Sequence, residues 1–358
     1  MTLNEYFALH SPRVTEAIQA FFATRRTAAE KLSPHLVQSI DVLEEFSLRG
    51  GKRVRSMLVL MACQLAGGEL NDAAYQVAAA VELFHKHILN LDDMADRDEL
   101  RNGGPTIWKR YQQLFEEWKD GVHHARSFTE IDGTLLGSFA FEMVREAKLS
   151  AEQRLAVMDV LNNQMYFETV AGWQIHYYQN QEPLAEADEE EFIKGLDLVT
   201  ARYTFVGPLK IGLIIQGKAD SQLARALEAY GMDVGLAFQV TDDILGVFGD
   251  PTETGKAVGN DIREGKKTLL LQRAYRSASA KDQAFLSEIC GRDISEAELH
   301  HAQQIITASG SLQYSQHLAT QKVETALQSI EGLTLSESGV EAQSVLTQLA
   351  QFVAQRKK

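Results

Sequence analysis

The chain has 358 residues, 45% hydrophobic and 23% charged, values of an ordinary globular protein that exclude disordered and fibrous classes. With 35 lysines and arginines against 49 aspartates and glutamates, the net charge is -14; this repels nucleic acid and admits an anionic substrate only where local cations or bound metal invert the field. Two cysteines, Cys63 and Cys290, are too few for a disulfide framework and too far apart for a zinc site, so a cytoplasmic setting is expected.

The opening, MTLNEYFALHSPRVTEAIQAFF, lacks a basic start followed by an apolar run and small-residue cleavage site, so no signal peptide is expected. Residues 1–20 read as a short N-terminal extension. Beyond them, few prolines and apolar spacings of three and four predict an all-helical fold. Val54, Met57, Leu58, Met61 and Leu65 form a stripe that would bury one helix face. The apolar stretch Met57 to Ala66 is broken by Gln64 and is about half of the roughly 20 residues that span a bilayer, so no membrane insertion is expected. The next helix is predicted from about Asp72 to Asp98. Breaks follow at Gly103-Gly104-Pro105, Gly121, Glu182-Pro183, Gly249-Asp250-Pro251 and Gly255. Asp188 to Glu191 reads as the acidic first turn of a helix that continues into Phe192 and Ile193. Neither a linker nor a repeat interrupts the chain. A single domain over 1–358 is therefore expected, with a motif-bearing core at about 45–275 and C-terminal helices over 276–358.

On the second predicted helix, Asp92 and Asp96 in Leu91-Asp92-Asp93-Met94-Ala95-Asp96 are four apart and share a face. Like charges at that spacing destabilise a helix by a few tenths of a kcal/mol, and a divalent cation would remove the conflict. Magnesium prefers oxygen ligands, takes one or two protein carboxylates and completes its shell with water and phosphate oxygens. A second cluster, Thr241-Asp242-Asp243-Ile244-Leu245-Gly246, follows a run containing Phe238 and Gln239. Two such clusters, if they face one another, would clamp one diphosphate. Cations beside glycine turns flank both: Gly50-Gly51-Lys52-Arg53-Val54-Arg55, Arg101-Asn102-Gly103-Gly104, Gly255-Lys256-Ala257-Val258-Gly259-Asn260-Asp261 and Gly265-Lys266-Lys267-Thr268. Glycine lets the backbone approach phosphate, and lysine and arginine add charge-assisted hydrogen bonds.

At these residues, from about Gly50 to Thr268, the sequence resembles the trans-isoprenyl diphosphate synthases. The resemblance implies an all-α helical bundle with a central substrate cavity and a prenyltransferase activity that joins isopentenyl diphosphate to an allylic diphosphate. By motif position, Asp92, Asp96 and Asp242 would hold magnesium, three ions once substrate is bound, with Asp93 and Asp243 assisting. Arg101, Thr200, Gln239, Lys256 and Lys266 match positions around the allylic diphosphate; Lys52, Arg55 and His85 match the isopentenyl diphosphate site. Metal and cations would stabilise the departing diphosphate, and a dry pocket would protect the resulting carbocation. Val81, Phe84, His87 and Ile88, upstream of Asp92, would floor the elongation pocket, and their bulk predicts a short product of about fifteen to twenty carbons. A homodimer is implied as well; the allylic starter is not readable.

Three positions depart from the family pattern. Asn102 stands where a second arginine is usual, Val199 in Val199-Thr200 where lysine is usual, and Gly246 where the second motif often ends in aspartate. Asn102 and Val199 motivate an alternative, a weakly active or inactive prenyltransferase-like subunit that regulates a catalytic partner. Lys194, Arg202 and Lys210 are candidate replacements for the missing cations. A terpene cyclase fits less well, because the second motif is followed by GKxxGND rather than a mixed asparagine, serine and glutamate motif. A di-iron bundle built on Glu82 with His85 and Glu298 with His301 is disfavoured; His123, His124, His300 and His301 read as surface residues.

Overall fold

The computed structural model describes residues 1–249 and 258–355. It forms two compact units, the first made of Met1–Leu161, Ile211–Ala219 and Leu335–Ala342, the second of Asn162–Lys210, Asp220–Thr334 and the chain from Gln343 onward. Among the described residues the regular structure is helical apart from one two-stranded hairpin.

In the first unit, α1 (Leu3–Glu30) opens on a capping box in which Thr2 accepts from the Glu5 amide and the Glu5 carboxylate accepts from the Thr2 amide. It buries Tyr6, Val14, Ile18 and Phe22, so most of segment 1–20 lies in a core helix. Ser33 caps α2 (Pro34–Leu48), whose first residue is the proline that a helix N-terminus tolerates. The stripe on α3 (Val54–Leu65) understates its burial: Val59, Leu60, Ala62 and Cys63, off the stripe, are as inaccessible as Met57 and Leu58. A helix apolar all round is buried all round.

Asn71 caps α4 (Asp72–Asp96) by accepting from the Ala74 amide. The helix stops two residues short of the predicted Asp98 because Arg97 turns left-handed, with φ 57°, and the Asp98 amide returns to the Asp93 carbonyl. A hairpin of β1 (Leu100–Arg101) and β2 (Gly104–Pro105) leads to α5 (Ile107–Leu114), α6 (Gly121–Glu146) and α7 (Ala151–Asp159). Helices α4 and α6 pack closely because α6 presents glycines to polar side chains of α4. A methyl group at Gly133 would overlap Asn90, and one at Gly137 would lie 3.1 Å from the His87 ring.

The second unit contains α8 (Glu168–Gln181) and α9 (Glu189–Leu196), with Asp188 accepting from the amides of Glu190 and Glu191, the acidic first turn read from the sequence. A π-helical stretch, Asp197–Val206, continues into α10 (Gly207–Ile215). The continuous run Glu189–Ile215 is long and apolar enough to cross a membrane, yet 78% of its most apolar window is buried in the protein. Helix α11 (Gln222–Phe248) lies against the π stretch, where a methyl at Gly235 would overlap Ala201. After α12 (Asn260–Arg263) come α13 (Leu269–Ser277), α14 (Ala280–Ile289), α15 (Glu296–Ala308), α16 (Ser311–Ile330) and α17 (Glu337–Gln355). Val247, Ile262, Leu270, Leu271, Leu286, Ile289 and Ile306 form a buried cluster that fixes the end of α11 against α12 to α15.

Candidate active site

The first aspartate cluster occupies the last turn of α4. Arg101, on β1, spans it: Nε donates to Asp93 Oδ1 at 2.6 Å, and Nη2 reaches Asp92 Oδ2 at 3.2 Å and Asp98 Oδ2 at 3.0 Å. A guanidinium of the same unit thus offsets the repulsion among Asp92, Asp93 and Asp98. Burial pushes the Asp93 carboxyl up to about 6 against the opposing pull of Arg101. Asp93 is 1% exposed, and its Oδ2 has no hydrogen-bond partner.

What aims Arg101 is the hairpin. Asn102 and Gly103 form its two-residue loop with φ of 51° and 77°, the pattern of a type I′ turn, for which Asn-Gly is the preferred pair. Arg49, at the end of α2, fastens the hairpin by donating from Nη1 to the carbonyls of Arg101 at 3.1 Å and Pro105 at 2.6 Å, while Glu45 holds its other nitrogens. A side chain at Gly104 would come within 2.6 Å of Arg49 Nη1. The sequence reading missed Asp98 and Arg49; the Asn-Gly pair was the available signal for the hairpin that recruits both.

Of the residues assigned to the second substrate, the structure brings Arg55 and His85 together, with Nη1 3.1 Å from Nε2. Burial first, then Arg55, holds the His85 imidazole well below its ordinary pKa. His85 is therefore neutral, and its Nε2 accepts from the guanidinium. Lys52 is exposed on the preceding loop, and Arg53, buried at the start of α3, adopts φ 49°. Ser56 donates to Glu82 Oε2 at 2.8 Å, which gives Glu82 a buried partner beside His85 on α4. Val81, Phe84 and Ile88 are buried on the same helix, and His87 Nδ1 donates to the Gly133 carbonyl at 2.7 Å.

In the second unit a relay runs from the π stretch into the second cluster. Thr200 Oγ1 donates to Gln239 Oε1 at 2.8 Å, and Gln239 Nε2 donates to Asp243 Oδ1 at 2.9 Å. Asp242 is half-buried; Asp243 is 6% exposed, with Oδ2 lacking a hydrogen-bond partner. Burial, and then the Asp261 carboxylate, raise the Asp243 carboxyl well above its ordinary range. Lys266 pairs with Glu264 at 2.6 Å and Asp261 at 3.4 Å. Lys256 lies outside the described residues.

Each cluster therefore offers oxygen donors only, including one deeply buried oxygen without a protein partner. Among the described residues no three histidine, cysteine or acidic side chains gather into a metal-binding group of their own. Open, all-oxygen donor sets fit magnesium, which keeps most of its shell for water and substrate oxygens.

A family model described as polyprenyl synthetase matches residues 38–306. The chain belongs to the polyprenyl synthetase family. It is 29% identical to a geranylgeranyl diphosphate synthase of Saccharolobus solfataricus over 99% of this chain and 98% of that one. It is 32% identical to a geranylfarnesyl diphosphate synthase of Aeropyrum pernix over 86% of this chain and 91% of that one. A geranylgeranyl pyrophosphate synthase from Corynebacterium glutamicum, solved with isoprenyl diphosphate and magnesium, superposes with a TM-score of 0.89 at 27% identity, covering 99% and 100% of the two chains. This polyprenyl synthetase is a prenyltransferase with the all-α fold of its relatives, which make short-chain prenyl diphosphates.

Two of its departures now have local explanations. Asn102 fills the loop position where a left-handed φ favours asparagine over arginine. Val199 packs toward α8, where a methyl on Gly172 would lie 2.7 Å from Val199 Cγ1. Of the candidate replacement cations, Arg202 is paired with Glu168 at 3.4 Å, and Lys194 and Lys210 are exposed.

Proposed function

We propose that this polyprenyl synthetase condenses isopentenyl diphosphate head-to-tail with an allylic diphosphate in a magnesium-dependent reaction, giving an all-trans product of about fifteen to twenty carbons. The reading is carried by the two carboxylate sets, each with a buried oxygen, Asp93 Oδ2 and Asp243 Oδ2, that no protein donor satisfies. Asp92, Asp96 and Asp242 hold magnesium, with Asp93 and Asp243 beside them. When bound, the metal neutralises charge on the departing diphosphate so that the allylic carbon-oxygen bond ionises. Arg101 fixes the first carboxylate set in position and adds a cation there. Thr200 and Gln239 orient Asp243, and Lys256 and Lys266 serve the allylic diphosphate. Lys52 and Arg55 bind isopentenyl diphosphate, whose double bond attacks the allylic cation; neutral His85 leaves the Arg55 charge available to an anion. The released diphosphate takes the proton, so no protein nucleophile is needed. Val81, Phe84, His87 and Ile88 limit elongation. The reading includes a cytoplasmic homodimer.

The test is an assay of the purified chain with magnesium, isopentenyl diphosphate and each allylic starter, followed by chain-length analysis. Turnover without any added subunit is expected, with products of about fifteen to twenty carbons, and Asp92→Ala should lower kcat by about 10²- to 10³-fold. Products of thirty or more carbons would refute the length. Turnover that appears only with a second subunit would establish the regulatory reading instead, and an unaffected Asp92→Ala variant would remove the metal role.

A further inference from the structure

Lys86 on α4 is 2% exposed, and the chemistry proposed above makes no use of it. Burial lowers the pKa of its ammonium; Glu82 opposes this, Arg53 and Arg49 reinforce it, and Asp93 opposes it. A charge taken out of water is expensive, and an apolar side chain of similar length would fill the site without that penalty. What the ammonium touches identifies a use for it. Nζ donates to the Arg49 carbonyl at 3.2 Å and lies 5.4 Å from the centre of the Phe46 ring, both at the end of α2.

Arg49 ends α2 with ψ 136°, so its carbonyl stands at a helix C-terminus and has no intrahelical donor. It is also the last carbonyl before Gly50-Gly51, where the chain turns with φ 146° at Gly51 and 49° at Arg53 before entering α3. Lys52 and Arg55 are carried on this stretch. Two adjacent glycines leave it little stiffness of its own, so a fixed carbonyl at its base decides where those cations begin. The Arg49 side chain has a different task and a different anchor: Nη1 holds the hairpin, and Glu45 accepts from Nε at 2.7 Å and from Nη2 at 2.5 Å. The Arg49 carbonyl is thus held by Lys86, and the Arg49 side chain by Glu45.

We propose that Lys86 is a positioning residue for isopentenyl diphosphate: by fixing the Arg49 carbonyl it sets the base of loop 50–53 and with it the placement of Lys52 and Arg55. Lys86 itself touches no substrate, because its ammonium is buried against α2. The inference rests on the isopentenyl diphosphate role given above to Lys52 and Arg55. Since the hairpin that aims Arg101 hangs from the Arg49 side chain, which Glu45 anchors separately, loss of the Lys86 donor loosens the loop far more than the first aspartate cluster.

The test uses the full chain and two readouts: the Kd of isopentenyl diphosphate by titration calorimetry, and the magnesium concentration that gives half-maximal thermal stabilisation with inorganic pyrophosphate. Lys86→Met keeps the buried stem and removes the donor. It should weaken the Kd about tenfold, the scale on which a small displacement of binding groups acts, and leave the magnesium midpoint within about twofold. Lys86→Arg, which keeps a cationic donor, should recover the Kd to within about threefold of the parent. Arg49→Gln should show the opposite split, because it releases the hairpin and so moves the magnesium midpoint more than the Kd. Should Lys86→Met not fold, Lys86→Gln, with its shorter side chain, takes its place with the same expectation. An unchanged Kd overturns the proposal, and so does an equal loss in both readouts, which would make Lys86 a support of the whole unit. Arg55→Gln serves as the reference: if it leaves the Kd unchanged, it is the isopentenyl diphosphate reading of the loop that fails.

Discussion

At the first aspartate cluster Arg101 reaches Asp92, Asp93 and Asp98 at once, whereas at the second the buried Asp243 takes a neutral donor, Gln239, and has the Asp261 carboxylate for a neighbour. The difference shows two ways to keep acidic side chains gathered. A guanidinium fork donates to several carboxylates at once, so Arg101 offsets part of the first cluster's negative charge. The second relies on burial, a relay of neutral hydrogen bonds and a lysine held mainly by Glu264, and so retains more of the electrostatic stress that a cation relieves.

The strongest way to break this comparison is to remove the cation from each cluster in turn. Arg101→Gln leaves Asp93, 1% exposed, beside two further carboxylates, and should destabilise the ligand-free chain by about 3 kcal/mol in denaturant unfolding. Lys266→Gln removes a side chain that is 40% exposed and should cost under about 1 kcal/mol. Equal losses would mean that Arg101 is not the counter-ion of the first cluster.

Acid should separate the His87 turn of α4 from α11 by sign. Burial holds His87 below its ordinary pKa, opposed by its bond to the Gly133 carbonyl, and burial also lowers His10 and His85. A histidine whose folded value lies below the unfolded one contributes stability that is complete above about pH 6.5 and is lost as pH falls. The raised carboxyls of Asp243 and Asp261 act oppositely: as pH falls toward their elevated values, protonation relieves their crowding and stability is gained. Between pH 7.5 and 6, hydrogen exchange corrected for intrinsic rate should therefore quicken in the turn of α4 around His87, while the raised carboxyls of Asp93 and Asp132 oppose that loss elsewhere in α4 and α6, and α11 holds or slows. His87→Gln should reduce the change in α4. Uniform loosening of both regions would remove the distinction.

These contrasts also mark what the sequence could show. Helical class, both aspartate clusters and the assignment of Arg55 and His85 to one site rest on periodicity and on motif positions, which are local or carried by resemblance. The all-round burial of α3 escaped because a stripe of spaced residues counts one face, while the Val59, Leu60, Ala62 and Cys63 positions needed neighbours to be seen as interior. Asp98 joined the first cluster through a hairpin that its two-residue strands scarcely announce, and Asp261 joined the second through the return of the chain onto Gly246. Both are products of backbone geometry between motifs, which spacing within a motif does not encode.

Asn102 offers the finest test, because there turn geometry and charge pull apart. Its φ of 51° and the following Gly103 at 77° suit Asn-Gly, and this turn sets the aim of Arg101. Its amide also lies near the loop that leads to Lys52: a methyl group at Gly51 would be 3.7 Å from Asn102 Nδ2. Asn102→Arg should thus place a cation near Lys52, proposed above to bind isopentenyl diphosphate, at the cost of a strained turn. The left-handed position should cost roughly 1 kcal/mol of stability, and KM for isopentenyl diphosphate should fall by a few-fold, less than a full charge-assisted hydrogen bond would give. Were KM to fall with no loss of stability, the turn would not be what selects asparagine. Were stability lost and KM unchanged, the amide's place beside Gly51 would already serve the second substrate as well as arginine can, and the first cluster's hairpin would be tuned for holding Arg101 alone.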